Sequence, residues 1–224
     1  MLNIQFSDWG KQRPKKHYNN VHKMRIFELI FSKKLSELGV KLGEFDTIIV
    51  YCLANPKKTF SYDEDYALKE IEVSIPYDYM SFFNLGSNEE KFQEFTKLIH
   101  QYITPILQKH SSLSASTISA FVEIALGEIV KQNYEAVFLV GQTPKKSPNR
   151  KQLAILKGIH RSEGFQLRCE VYNEKGLRIL DQLLVEEVGN EIVYSRFLGT
   201  LKWENENLIV VKSKSSQWTA TVSV

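Results

Sequence analysis

Turn-forming clusters recur through the C-terminal part of this chain, at Ser162-Glu163-Gly164, Asn173–Gly176, Gly189-Asn190 and Glu204–Asn207. Between the first two, Phe165, Leu167, Cys169 and Val171 alternate with Gln166, Arg168, Glu170 and Tyr172. Period-two patterning between tight turns calls for antiparallel strands with one buried face. About six strands are expected, near 153–160, 165–172, 177–187, 191–199, 208–212 and 217–223.

A sheet of this kind needs a cover, and the middle of the chain offers helices for it. Ser87-Asn88-Glu89-Glu90 reads as a capping box. It opens a helix with Phe92, Phe95, Ile99, Ile103 and Ile106 on one face, which Pro105 should kink or break. After the Ser-rich link 111–116, a second helix turns Ile118, Phe121, Val122, Ala125, Ile129 and Val130 inward. Tyr134–Val140 reads as a strand.

Upstream, Leu2, Ile4 and Phe6 mark a short strand, and a helix runs from about His22 to Leu38, closed by Gly39. Thr47–Ala54 reads as a buried strand. Tyr66–Ile75 alternates cleanly and should pair with a neighbour through the Pro56-Lys57-Lys58 turn. The fold class expected is therefore α+β. An N-terminal β-α-β-β portion precedes a C-terminal antiparallel β-meander of about six strands, covered by the central helices. A single domain over 1–224 is expected, with a division into a mixed portion 1–140 and a meander 141–224 as the alternative.

Charge is segregated along the chain. Residues 1–60 hold 11 Lys/Arg against 5 Asp/Glu, residues 61–140 hold 5 against 12, and residues 141–224 hold 13 against 9. The sharpest local excess is 11–25, with six Lys/Arg, two His and no carboxylate. Charge layout of this kind informs association more than fold. One candidate contact surface is basic: Lys11, Arg13, Lys15, Lys16, Lys23 and Arg25 from the first tract, with Lys145, Lys146, Arg150 and Lys151 from a second loop. The other is acidic and aromatic, built from Tyr62, Asp63, Asp65, Tyr66, Tyr77 and Tyr79. Tyrosine there supplies rigid contact area at low entropic cost.

Catalytic templates find no match in the sequence. No two of His17, His22, His100, His110 and His160 stand at the four-residue spacing that sets two imidazoles on one helical face, so no metal site is expected. Cys52 and Cys169 sit in apolar strands with no adjacent base, and no phosphate-binding glycine pattern follows a strand. Cofactors are not expected, and catalytic residues are not assigned. No apolar run approaches the roughly 20 residues of a membrane-spanning helix, and the start Met-Leu-Asn-Ile-Gln-Phe lacks signal-peptide character. The expectation is a soluble, cytoplasmic protein of uncertain catalytic status, leaning to none.

Three functions compete. The first is a non-catalytic module that binds a protein partner, of the type of a bacterial immunity protein that neutralises a cognate protein toxin. Because the chain as a whole is mildly basic, either its acidic middle makes that contact or the toxin is not a cationic nuclease. The second is a nucleic-acid-binding protein using the basic loops 11–25 and 145–151. The third is an enzyme whose site is assembled only in the fold, near Asp63–Asp78 or His160.

Overall fold

The computed structural model describes residues 2–9, 17, 21–54 and 60–224. It is α+β, and the chain divides into two compact units, Met1–Tyr134 and Glu135–Val224.

The first unit is built on a four-stranded sheet in the order β1-β2-β4-β3, with β1 at Asn3–Asp8, β2 at Thr47–Cys52, β3 at Ser61–Asp65 and β4 at Glu70–Ile75. β1, β2 and β4 run parallel, and β3 is antiparallel to β4. A parallel neighbour requires a crossover. Helix α1 (Arg25–Glu37) supplies it between β1 and β2, burying Ile26, Phe27, Ile30, Phe31 and Leu35. In register across the sheet stand Ile4, Ile48 and Ile71, then Phe6, Val50 and Val73. All six are buried on the helix side, where Phe6 meets Phe95 edge-on at 5.8 Å.

Two polar side chains of α1 are buried with this core, and the strand explains them. β1 is an edge strand whose amides at Ile4 and Phe6 point away from β2. Ser32 Oγ accepts from the Ile4 amide at 3.1 Å, and Glu28 Oε1 accepts from the Phe6 amide at 2.9 Å. Four helical residues rise about 6 Å and two strand residues about 6.6 Å, so one helical turn matches the spacing of the two amides. This edge is closed to further strands.

β3 and β4 form a hairpin, which corrects the single strand expected over Tyr66–Ile75. Asp65 Oδ1 accepts from the amides of Ala67 and Leu68, both at 2.9 Å, and Lys69 takes a left-handed φ of 56°. That side-chain turn overrides the alternation of Tyr66–Lys69. The turn expected at Pro56-Lys57-Lys58 lies outside the described residues.

After a short helix α2 (Tyr79–Phe83), the capping box forms as expected. Ser87 Oγ accepts from the Glu90 amide at 3.1 Å, and Glu90 Oε2 accepts from the Ser87 amide at 3.0 Å. Pro105 does not break the helix that follows. Helix α3 (Asn88–Leu98) passes through a π-helical turn at Ile99–Ile103 into α4 (Thr104–His110). Thr104 donates both its amide and its hydroxyl to the Ile99 carbonyl, the latter at 3.1 Å. Pro105 then falls in the first turn of α4, where no amide is required of it. Helix α5 (Ala115–Lys131) packs on α1 through Ile118, Val122, Ala125, Leu126 and Ile129, while Val130 stays exposed.

The second unit is antiparallel throughout. β5 (Ala136–Leu139), β6 (Lys145–Lys146), β7 (Gln152–Arg161), β8 (Gly164–Asn173) and β9 (Arg178–Glu187) form one sheet. β10 (Gly199–Asn205), β11 (Leu208–Ser213) and β12 (Thr219–Ser223) form another. The expected meander is thus split in two, and within this unit the sheets share one core. Leu156, Phe165, Leu167 and Cys169 of the first sheet join Leu201, Trp203, Ile209, Val211 and Val222 of the second. The strand expected at 191–199 is instead helix α6 (Glu191–Tyr194) and a 3₁₀ turn, Ser195–Phe197. Asn190 caps α6 by accepting from the amides of Ile192 and Val193 at 2.9 and 3.3 Å, which outweighs the strand preference of Ile192-Val193.

Candidate functional site

The β3–β4 hairpin splits the acidic and aromatic residues between its two faces. Asp63 lies directly opposite Glu72, and Asp65 directly opposite Glu70, on the face away from the helices. Like charges in direct cross-strand register cost stability. Asp63 is exposed, the other three are half-buried, and none of the four makes an ion pair among the described residues. Tyr51 stands on the same face of β2 and donates its hydroxyl to Glu72 at 3.0 Å. Burial, then that carboxylate, raises the Tyr51 phenol above its ordinary range. Trp9, 55% exposed, meets the Tyr51 ring edge-on at 4.9 Å. The face therefore carries four carboxylates flanked by two aromatic rings. The amide of Glu64 on β3 is taken by Asp63 Oδ1 at 2.9 Å, so contact here falls to side chains more than to an added strand.

The other face of β3 meets the end of α4. Glu64 accepts from Tyr62 at 2.6 Å, Tyr66 at 2.8 Å and Lys109 at 3.1 Å, and His110 Nε2 contacts the Tyr62 hydroxyl. Lys109 also lies over the Tyr62 ring, 4.3 Å from its centroid. The hydroxyls of Tyr62 and Tyr66, followed by Lys109, hold the Glu64 carboxyl down to about 2. Burial and the bond to Glu64 push the Tyr62 phenol well up. A cavity of about 510 Å³ opens beside them, lined by Phe60, Tyr62, Gln101, Tyr102, Pro105, Ile106 and Lys109. Acid–base catalysis favours groups that titrate near the working pH. Glu64 and Tyr62 are displaced from neutrality in opposite directions, so the cluster holds β3 on α4 more readily than it moves protons.

His110 is lowered from the ordinary histidine value, chiefly by burial and against the pull of Glu64. The fold therefore favours its neutral form. Its contribution to stability is present above pH ~6.5 and is lost as pH falls through its lower folded value. An NMR titration should place the His110 midpoint below that of an exposed histidine, and Glu64→Gln should lower it further. A midpoint at or above 6.5 would contradict the burial seen here.

Of the remaining acidic-surface candidates, Tyr77 is half-buried, and Tyr79 is corrected to a core position. It is fully buried and packs edge-on against Phe83 at 5.0 Å, its hydroxyl donating to the Val21 carbonyl at 3.2 Å. That bond lets the phenol be enclosed without an unmet donor.

The basic candidates belong to both units. Lys11, Arg13, Lys15 and Lys16 lie outside the described residues. Lys23 is half-buried, and Arg25 pairs with buried Glu28 at 2.9 Å, an internal task. Lys145 and Lys146 of β6 and Arg150 and Lys151 of the loop that follows it do come together in the second unit. Ser147 donates its amide to the Gln152 carbonyl at 2.9 Å, Asn149 Oδ1 accepts from the Lys151 amide at 2.9 Å, and Trp203 Nε1 donates to the Lys145 carbonyl at 3.0 Å. The loop borders one cavity of about 460 Å³ with Tyr172 in its lining, and a second of about 370 Å³ next to Trp203 and Lys202.

Both cysteines are buried. Burial raises the Cys52 thiol well above its ordinary range and pushes Cys169 up to about 12. His160 is buried against Tyr194, their rings edge-on at 5.4 Å. Among the described residues no group of three or more His, Cys, Asp and Glu converges as a metal ion requires, and no helix is long and apolar enough to cross a membrane. Comparison of the chain with protein-family models, curated proteins and solved structures gives no match.

Proposed function

We propose that this chain is a non-catalytic protein-binding module whose contact surface is the acidic face of the β3–β4 hairpin, and that it acts as an immunity-type protein, covering a cognate cationic toxin. The observation that carries the reading is the cross-strand register of Asp63 with Glu72 and Asp65 with Glu70. Two like-charge pairs in one hairpin are a standing cost to the free protein, and a cationic surface laid over them turns that cost into attraction. Trp9 and Tyr51 beside them are residue types that anchor interfaces. The immunity role itself rests on analogy at the level of protein class.

Asp63→Lys and Glu70→Lys together convert both like-charge pairs into opposite-charge pairs. The double variant should be as stable as the parent or more so, by about 0.2–1 kcal/mol per pair. Affinity purification from the native host, run side by side, should lose the partner that the parent retains. Melting curves and recovered partner are the two readouts. A partner recovered equally by both proteins places the contact elsewhere.

A further inference from the structure

We infer that the cleft between the Lys145–Lys151 loop and the outer face of β7 and β8 binds single-stranded nucleic acid, seating one base on Tyr172 and the flanking phosphates on Lys146, Arg150 and Lys151. The inference is independent of the acidic face, since it uses only the second unit. The cleft has a volume of about 460 Å³, within the range that encloses small ligands. Its three cations are exposed, and none of them makes an ion pair among the described residues. The backbone that carries them is nonetheless fixed by Ser147 and Asn149: Ser147 Oγ accepts from the Gln152 amide at 3.0 Å, and Asn149 donates to Glu206 at 2.7 Å. Uncompensated cations on a braced loop are organised for an anionic ligand before it arrives.

The aromatic ring narrows the class of anion. Tyr172 donates its hydroxyl at 2.6 Å to Glu170, which is buried and also accepts from Arg178 at 3.1 Å and from Lys157. That tether holds the ring in the cleft wall next to the apolar floor of Leu153 and Ile155. A fixed aromatic face beside free cations offers a nucleobase a stacking surface next to sites for its phosphates. Lys146 also borders the neighbouring cavity, where Lys145 extends the line of positive charge and Lys202, paired with Glu204 at 3.1 Å, stands beside it. A track of cations longer than one ligand unit, with a ring at one station, fits a strand better than a mononucleotide. Glu174 is the carboxylate in the lining.

The probe is a fluorescein-labelled oligo(dT) or oligo(U) strand of about twenty nucleotides, followed by anisotropy over a range of salt. The parent should bind saturably at low salt, with a steep log–log salt slope. The triple variant Lys146→Ala, Arg150→Asn, Lys151→Ala should weaken binding by more than about tenfold and reduce the slope by roughly 2, since each single-strand phosphate contact contributes about 0.7. Asparagine is chosen at 150 because that residue sits at a left-handed φ of 63°, which asparagine tolerates. Tyr172→Ala should weaken binding by about tenfold at an unchanged slope, and Tyr172→Phe, which keeps the ring, should restore it. Absence of saturable binding at low salt overturns the assignment, and so does a triple variant with the parent's slope. Displacement of the strand by polyglutamate as readily as by unlabelled oligonucleotide also overturns it, by showing a site for acidic protein.

Discussion

Replacing Glu28 with alanine should destabilise the first unit by about 3–5 kcal/mol. The carboxylate is 2% exposed, it accepts from the Phe6 amide, and it pairs with Arg25. Alanine removes both of these contacts at once. An unpaired buried amide alone costs about 1–3 kcal/mol, and the guanidinium, whose side chain is only 19% exposed, loses its counter-charge as well. Ser32→Ala is the internal standard. It removes the same kind of edge-amide acceptor one helical turn away, without a charge, and should cost about 1 kcal/mol. Urea unfolding followed by far-ultraviolet circular dichroism reads both. If the two substitutions cost the same, the ion pair contributes nothing and the closed edge of β1 rests on hydrogen bonding alone.

In the second unit, Phe165→Ala should cost about 3–5 kcal/mol. The ring is fully buried and lies parallel to Tyr194, with centroids 3.9 Å apart and planes at 13°, and it also stacks with Phe138 at 6.2 Å. Phe138 reaches that position because residue 158 is glycine. A Cβ at Gly158 would fall 2.6 Å from the Phe138 ring. Truncating Phe165 therefore opens a cavity between the Phe138 ring, placed by the register of β5 on β7, and the Tyr194 ring, placed by helix α6, so collapse into the void is limited. Phe165→Leu, which preserves most of the volume, should cost much less. Near-ultraviolet circular dichroism should report the loss of the Tyr194 environment in the alanine variant. A penalty near 1 kcal/mol would mean that this core relaxes freely.

What the sequence conveyed and what it withheld divide along physical lines. Local chemistry was readable: the Ser87–Glu90 capping box forms both of its bonds, and the alternation of Phe165–Tyr172 becomes β8. Competition between local signals was not. The side chains of Asp65 and Asn190 decide a turn and a helix cap against β-branched or alternating neighbours, and only the folded backbone shows which side wins. The acidic site was half legible. Glu70 and Glu72 look like a solvated strand face until register sets Asp65 and Asp63 opposite them. Tyr172 lies far along the chain from Arg150 and joins the cationic loop only because β7 and β8 pair, with Leu153 facing Tyr172. Lys109 and His110 carried no signal toward Glu64 in the sequence. Their meeting depends on where α4 ends.

That ending is decided by the π-helical turn at Ile99–Ile103. A helix advances by about 100° per residue, so a turn that holds one residue more than the regular count resets the azimuth of everything beyond it. α4 is in effect dialled one notch around its axis relative to α3. Deleting a single residue from 99–103 would leave the same letters in α4 while turning Lys109 and His110 off β3 by about a quarter of a revolution. The contact between the helical layer and the β3 edge is thus encoded as a count of residues, and an insertion or deletion there carries more weight than a substitution.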